Sequence, residues 1–148
     1  MAIKPVFAYR IFTGKKRYDL RKLTREVNIR SGDRVVLYVS GKVKAFMGEF
    51  TVGKVIRGSP EYIMKVLSTD ETAGVSSEDF NYIRGAKYAI ALEVLNPLIY
   101  KKPIELKPVL RLFPDYKPPL GIQELDDYEP IVVLVFDKAR SITVGRKL

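Results

Sequence analysis

The sequence predicts an α+β fold made mostly of β-strands, with short helices inserted between the strands of a small barrel. Three apolar runs rich in β-branched residues, at 35–39, 43–56 and 87–95, are typical of strands. Gly48 and Gly53 interrupt the second run, as the bends of a barrel require. N-capping residues between the second and third runs predict two short helices.

The segment before residue 24 predicts one helix and one strand. Apolar side chains within residues 5–12 fall at helical spacing, with Pro5 near the start and Gly14 just past the end. We favour this helix over a strand, which is the alternative for so short a run. Residues 17–23 alternate loosely between polar and apolar and predict a strand.

Turn and cap residues set the boundaries of the middle elements. Ser-Gly-Asp at 31–33 and Ser-Gly-Lys at 40–42 predict the turns on either side of the first strand run. Ser59 followed by Pro60 predicts a helix to about Leu67. Ser76 or Ser77 caps a second helix, which ends at Ile83. Asn96-Pro97 is expected to end the third strand run.

The C-terminal third is less regular. An edge strand is expected around residues 104–106, between Pro103 and Pro108. The proline-rich segment 114–121 predicts an ordered loop. The apolar run 131–136 fits either a buried strand or a helix that begins at Pro130.

Length and composition predict one intracellular domain spanning residues 1–148. The chain has 148 residues, no internal repeat and no linker with a shift in composition. No apolar run approaches the roughly 18 residues that span a bilayer, and the first ten residues lack the apolar segment of a signal peptide, so we expect a cytoplasmic protein. The scarcity of Asn and Gln is a weak indication of a thermophilic source.

The sequence contains no cysteine and no histidine. These absences exclude disulfides, thiolate chemistry and the usual zinc ligands, so any metal would have to be a hard cation bound by carboxylates. We expect neither a metal nor a cofactor. The same absences also remove the usual general base at neutral pH. Acid–base chemistry would have to use Lys, Tyr, Asp or Glu with shifted pKa values.

Positive charge is concentrated near the N-terminus. The net charge is +9, and the first 34 residues hold ten basic and three acidic side chains, a local charge of +7. This asymmetry favours a phosphate-bearing partner, RNA or a nucleotide above all. The alternative is the lysine-rich surface of a thermophilic protein.

The segment from Gly14 to Arg21 resembles a known signature. Its order of Gly14, Lys16, Asp19 and Arg21 is similar to the Gly-x-Lys-x-x-Glu-x-Arg motif of the ASCH family, with Asp in place of Glu. The segments at 29–38, 43–50 and 86–90 resemble the family's turn and strands in order and spacing. The resemblance covers residues 4–125, and the chain is similar to a stand-alone, archaeal-type member.

The resemblance implies a PUA-like pseudo-β-barrel with a cleft lined by Lys16, Asp19 and Arg21. Members of this family are proposed to bind RNA. Some are reported as ribonucleases, and a short bacterial subgroup as amidohydrolases acting on acylated cytidine. In that subgroup the motif lysine works with a threonine at the acidic position and a downstream glutamate. Here Asp19 replaces the threonine, and Glu71 and Glu78 are the candidates for the downstream acid.

Strand phase adds to the expected site. If residues 17–23 are a strand, Arg17, Asp19 and Arg21 share one face, and the alternative role for them is a salt-bridged surface. The catalytic candidates are Lys16 and Asp19. The cations and tyrosines expected to bind nucleic acid by charge or base stacking are Lys15, Lys16, Arg17, Arg21, Lys42, Lys44, Tyr38 and Tyr88.

Three functions remain open on these residues. The first is RNA or nucleotide binding at a basic cleft. The second is hydrolysis of RNA or a modified nucleoside with Lys16 at the centre. The third is a non-enzymatic interaction with another protein through the segments 114–121 and 131–136.

Overall fold

The computed structural model describes residues 1–145 and contains one mixed five-stranded sheet with short helices around it. The elements in chain order are β1 (Ala2–Ile3), α1 (Pro5–Phe12), β2 (Tyr18–Leu23), β3 (Arg34–Val39), β4 (Ala45–Gly58), α2 (Pro60–Leu67), α3 (Ser77–Ile83), β5 (Tyr88–Glu105), α4 (Leu106–Leu112), a π-helical turn (Val132–Phe136) and α5 (Asp137–Val144). The strand order is β1-β3-β4-β5-β2. Strand β1 pairs parallel with β3, and β2 pairs antiparallel with β5. The predicted α+β, mostly-β class is confirmed, with a sheet that stays open over the described residues.

Local sequence signals located most elements correctly. Helix α1 covers residues 5–12, and α2 begins at Pro60 after Ser59, whose hydroxyl accepts the Tyr62 N–H at 3.1 Å. Ser76 is the N-cap of α3, with Asp79 accepting its backbone N–H at 2.8 Å. These helices confirm the predictions made from capping residues. None of the helices in residues 1–145 has the length and hydropathy of a membrane span.

The expected end of the third strand run at Asn96-Pro97 is wrong. Strand β5 continues through both residues to Glu105. Asn96 adopts a left-handed φ of 50°, which asparagine tolerates better than most residues. Strand β2 pairs with β5 only as far as Glu93, so Pro97 lies where β5 has no partner on that side. The proline therefore costs no hydrogen bond to β2.

The edge strand expected around residues 104–106 is also wrong. Strand β5 ends at Glu105, and Leu106 begins helix α4. Pro108 occupies the first turn of that helix, where its missing N–H would have no intrahelical partner. The loop 114–121 is irregular, as predicted. The ambiguous run 131–136 is helical, because Pro130 begins a helix that continues through the π-helical turn into α5.

The chain divides into two compact units, each with its own core. The first unit comprises residues 1–9, 35–50 and the chain from 98 onward. Its core includes Phe46, whose ring centroid lies 5.0 Å from that of Tyr38 and 4.9 Å from that of Phe136. A buried carboxylate, Glu49, accepts hydrogen bonds from the Tyr100 hydroxyl at 2.8 Å and from Arg140 Nε at 2.9 Å. These bonds attach α5 to β4.

The second unit comprises residues 10–34 and 51–97 and contains the whole signature segment. One side of β2 packs against helices α2 and α3 in this unit. Its core residues are Tyr18, Leu20, Ile63, Leu67, Ala73, Ile83, Ala89 and Ala91. Strands β4 and β5 contribute residues to both units.

Candidate functional site

The signature begins in a tight loop between α1 and β2. Gly14 has a φ of 77°, a left-handed conformation that glycine adopts without strain. Its N–H donates to the Ile11 carbonyl at 3.1 Å, and the Lys16 N–H donates to the Arg10 carbonyl at 2.9 Å. The loop therefore turns back on the end of α1 before the chain enters β2.

Lys16 is buried in an ion pair. Its side chain is 3% exposed, and its ammonium donates a hydrogen bond to Asp79 Oδ1. Asp79 lies on α3, and its side chain is 2% exposed. The other Asp79 oxygen accepts from the Ser76 N–H at 2.8 Å and the Ser76 hydroxyl at 3.1 Å. A single carboxylate thus caps α3 and neutralises the signature lysine.

The acid beside Lys16 was not found from the sequence. Asp79 contacts it, whereas Glu71 is exposed and Glu78 forms an ion pair with Arg10 at 3.5 Å. The assignment of Glu71 or Glu78 as the downstream acid is therefore wrong. The only local signal for Asp79 was its place three residues after the cap Ser76, which predicts a bond to the cap but not to a lysine 63 residues away.

A second buried pair lies on β2 itself. Arg21 Nε donates to Asp19 Oδ2 at 2.7 Å, and both side chains are buried. Tyr18 and Leu20 point to the opposite face and join the core of the second unit. The predicted strand phase for Asp19 and Arg21 is confirmed. The two side chains do form a salt bridge, but it is buried and does not lie on the surface as the alternative expected.

Arg17 precedes β2 and is exposed. Its guanidinium donates to the Thr72 hydroxyl at 3.4 Å, and its N–H donates to the Ala73 carbonyl at 3.0 Å. Thr72 in turn donates its N–H and hydroxyl to Asp70, at 2.9 and 2.6 Å. These hydrogen bonds are the main reason that the pKa of Asp70 lies below its usual value. Arg17 therefore belongs to a surface network with the 70–73 loop.

Gly74 allows the two loops to approach closely. It has a φ of 68°, and a Cβ atom at this position would lie 2.0 Å from the Lys15 carbonyl oxygen. No residue with a side chain fits there without moving the backbone. No local sequence pattern marks this glycine, because the close approach joins segments that are distant in the chain.

Tyr18 lies where β2 begins, directly across from Glu93 on β5. Burial raises the pKa of Tyr18, and the negative charges of Glu93 and Asp70 raise it further. The positive charge of Arg17 lowers the pKa of Tyr18, so acidic and basic groups meet at this end of the β2–β5 pair. Among residues 1–145, no group of three or more carboxylates is arranged to hold a metal ion.

The remaining predicted contacts differ in exposure. Lys15 and Arg17 are exposed on either side of buried Lys16. Lys42 and Lys44 lie in the exposed turn between β3 and β4, within the first unit.

The two tyrosines chosen for base stacking have opposite surroundings. Tyr38 is 5% exposed and packs against Phe46, so the prediction that it stacks on bases is wrong. Tyr88 is 59% exposed.

Three solved structures of one protein have a fold similar to that of this chain. The chain resembles ASCH from Zymomonas mobilis with a TM-score of 0.70 and 21% identity, over 90% of this chain and 91% of that one. A serine-to-alanine variant of that protein gives a TM-score of 0.74 and 22% identity, over 97% and 94% of the two chains. A tyrosine-to-phenylalanine variant gives 0.73 and 19%, over 93% and 94%.

The chain has the fold of an ASCH domain. The resemblance seen in the signature and its flanking segments is thus confirmed at the level of fold. No family model and no curated protein matches the sequence. A fold can host different functions, so what this ASCH fold binds depends on its own side chains.

Proposed function

We propose that the chain is an RNA- or nucleotide-binding domain whose main contact surface is the basic face of the second unit. The observation that carries this proposal is the exposure of Lys15 and Arg17 on either side of buried Lys16. The second unit holds fourteen basic and nine acidic residues. Its net charge of +5 favours a polyanion.

The buried pair holds these two cations in place. The bond from Lys16 to Asp79 and the bond from Arg17 N–H to Ala73 fix the loop backbone between them. A loop that is ordered before binding loses less conformational entropy when the ligand arrives. An exposed guanidinium can contact two phosphate oxygens at once, and an exposed lysine adds a point charge.

Further cations extend the surface on the same unit. Arg57 donates to the carbonyls of Val27 and Ile29, both at 3.0 Å, and so holds the loop that follows β2. This loop exposes Arg25 and Arg30. Lys42 and Lys44, exposed in the first unit, remain proposed nucleic-acid contacts of that unit. We also propose that both units form one domain, since the fold comparison spans 90% or more of the chain.

Binding to a labelled single-stranded RNA at several salt concentrations tests the proposal. Replacing Lys15→Ala and Arg17→Ala together should weaken binding and lower the slope of log K against log salt by about 0.7 for each lost phosphate contact. The matched control is Lys101→Ala with Lys102→Ala, an exposed pair in the first unit. No RNA retention at low salt, or equal losses in both double variants, would contradict the proposal.

Variants of Lys16 and Arg21 also weaken binding in this proposal, but they are poor first tests. Each cation is buried against a carboxylate, so its removal leaves Asp79 or Asp19 without a counter-charge. Such a change destabilises the fold as well as the site. Binding by these variants is meaningful only alongside their unfolding free energies.

Hydrolysis is the second candidate, favoured by one observation. A buried lysine in contact with a carboxylate is the pairing that the amidohydrolase resemblance calls for, with Asp79 as the acid. A carboxylate can serve as a general base once a substrate enters. Incubation of the wild type and an Asp79→Asn variant with labelled RNA and with N4-acylated cytidine tests this role. Equal turnover by both proteins, or none by either, removes it.

A further inference from the structure

Tyr88 marks a second feature of the basic surface, at the end of the β2–β5 pair away from Glu93. We propose that this end, formed by residues 20–25 and 84–88, is a stacking site for an unpaired base. The inference rests on the proposed function and deepens it, because it requires the bound nucleic acid to be single-stranded at this point.

Tyr88 is the exposed residue at the start of a buried stretch of β5. It is 59% exposed, while Ala89, Ile90, Ala91 and Leu92 that follow it are fully buried. Leu23, half-buried, lies directly across from it on β2. An aromatic ring at this position presents a face to solvent at the rim of an apolar strand pair. Every base has a π-face, so such a ring accepts any base that is not already stacked.

Charge is distributed unevenly along the same strand pair. Residues 20–25 and 80–92 contain no acidic side chain. They contribute the exposed cations Lys22, Arg25, Arg84 and Lys87. The other end of the pair carries Glu93 opposite Tyr18, with Asp70 close enough to raise the pKa of that tyrosine. The Tyr88 end therefore attracts a polyanion through cations on both sides of the strand pair.

The backbone before Tyr88 is held by a compact turn. The Arg84 N–H donates to the Phe80 carbonyl at 3.0 Å, and the Ala86 N–H donates to the Ile83 carbonyl at 3.1 Å. Gly85 supplies the left-handed φ of 82° that this turn needs. The backbone that carries Arg84 and Lys87 is thus ordered directly before Tyr88 in the chain. Rigid aromatic and cationic groups bind with little ordering penalty.

The second unit has two other exposed tyrosines, Tyr62 and Tyr82, of which Tyr62 is the more exposed. Tyr62 is 52% exposed, yet it follows Glu61 on α2 and its ring lies over Gly58. Tyr62 is therefore the matched control for Tyr88. Comparing Tyr88 with Tyr62 distinguishes a base bound at Tyr88 from an effect that RNA has on any exposed aromatic side chain of the unit.

The absence of tryptophan from the sequence provides a direct test. A Tyr88→Trp variant carries one indole, whose fluorescence is quenched when a base stacks on it. We expect quenching by a single-stranded RNA and little change with a blunt duplex of the same sequence. The same titration of Tyr62→Trp should give little quenching with either ligand.

Affinity provides the second readout. Base–aromatic stacking corresponds to a change in Kd on the order of 10- to 100-fold per base. We expect Tyr88→Ala to weaken single-strand binding by that factor without changing the salt slope, because no charge is removed. The Lys15→Ala, Arg17→Ala variant should lower the salt slope instead. Tyr62→Ala should bind as the wild type does.

Each outcome decides between the two proposals. Tight RNA binding by Tyr88→Ala, with no quenching of the indole in Tyr88→Trp, overturns the stacking site and leaves the proposed function standing. Equal quenching by duplex and single strand overturns the requirement for an unpaired base. Failure of the wild type to bind any RNA overturns the proposed function and the stacking site together.

Discussion

Removing the Lys16 ammonium should destabilise the fold far more than removing its exposed neighbour. In a Lys16→Met variant the Asp79 carboxylate, 2% exposed, loses its counter-ion. Breaking a buried ion pair from one side costs about 3–5 kcal/mol. Asp79 keeps its two hydrogen bonds from Ser76, so we expect the free energy of unfolding to fall by about 3 kcal/mol. Lys15→Met, at an exposed position, should change stability by about 0.5 kcal/mol or less.

A double-mutant cycle separates the pair from its surroundings. Asp79→Asn keeps an acceptor for Ser76 but leaves the Lys16 ammonium buried without a carboxylate. The variant Lys16→Met, Asp79→Asn buries neither charge, so its loss should be smaller than the sum of the single losses by about 2 kcal/mol. Urea unfolding followed by circular dichroism gives these free energies. Equal m-values, the slopes of the unfolding free energy against urea concentration, would show that the variants unfold over the same surface area. Additive losses, or equal losses in Lys16→Met and Lys15→Met, would refute this account of the loop.

Three further predictions concern other parts of the chain. Gly74→Ala should destabilise the protein by about 2 kcal/mol or more in urea unfolding, because its Cβ would lie 2.0 Å from the Lys15 carbonyl oxygen. The control Gly121→Ala should be nearly neutral, because no atom lies within 4 Å of the added Cβ. Burial raises the pKa of Tyr116 to about 12 from 10.0, so Tyr116→Phe should remove a late component from the spectrophotometric tyrosine titration. The stability that this neutral phenol contributes is present below pH 10 and is lost as the pH rises toward 12. The protein-interaction hypothesis predicts a dimer through the exposed side chains of residues 131–136, so light scattering should show a dimer that Leu134→Asp converts to a monomer; a wild-type monomer contradicts it.

Most of the element boundaries followed from local chemistry. Ser59, Ser76 and Pro60 were informative because a cap is satisfied within three residues. Asn96-Pro97 was misleading because whether a strand continues past a proline depends on its neighbours in the sheet. Strand β2 pairs with β5 only as far as Glu93, and no local pattern reports that length.

The candidate site could be predicted only in part for the same reason. The phase of β2 correctly placed Asp19 and Arg21 on one face, since alternation is a property of the strand itself. The partner of Lys16 could not be predicted, because Asp79 is brought to it by the packing of α3 against the sheet. Tyr38 and Tyr88 looked alike in the sequence. Tyr38 sits inside an apolar strand, and Tyr88 begins one, which in retrospect is the signal that separates them.

If the chain binds RNA as proposed, the buried charges of the signature have an indirect role in that binding. A well-packed apolar pair is often as stable as a buried ion pair, so stability alone does not explain Lys16 and Asp79. An apolar pair would lack the hydrogen bond that holds the loop against the capped end of α3. Without that bond, Lys15 and Arg17 would not be held in the same positions. A double variant that folds stably should therefore bind RNA less tightly while keeping the same cations. Full affinity in such a variant would mean that the pair serves stability alone and that the exposed cations need no preformed loop.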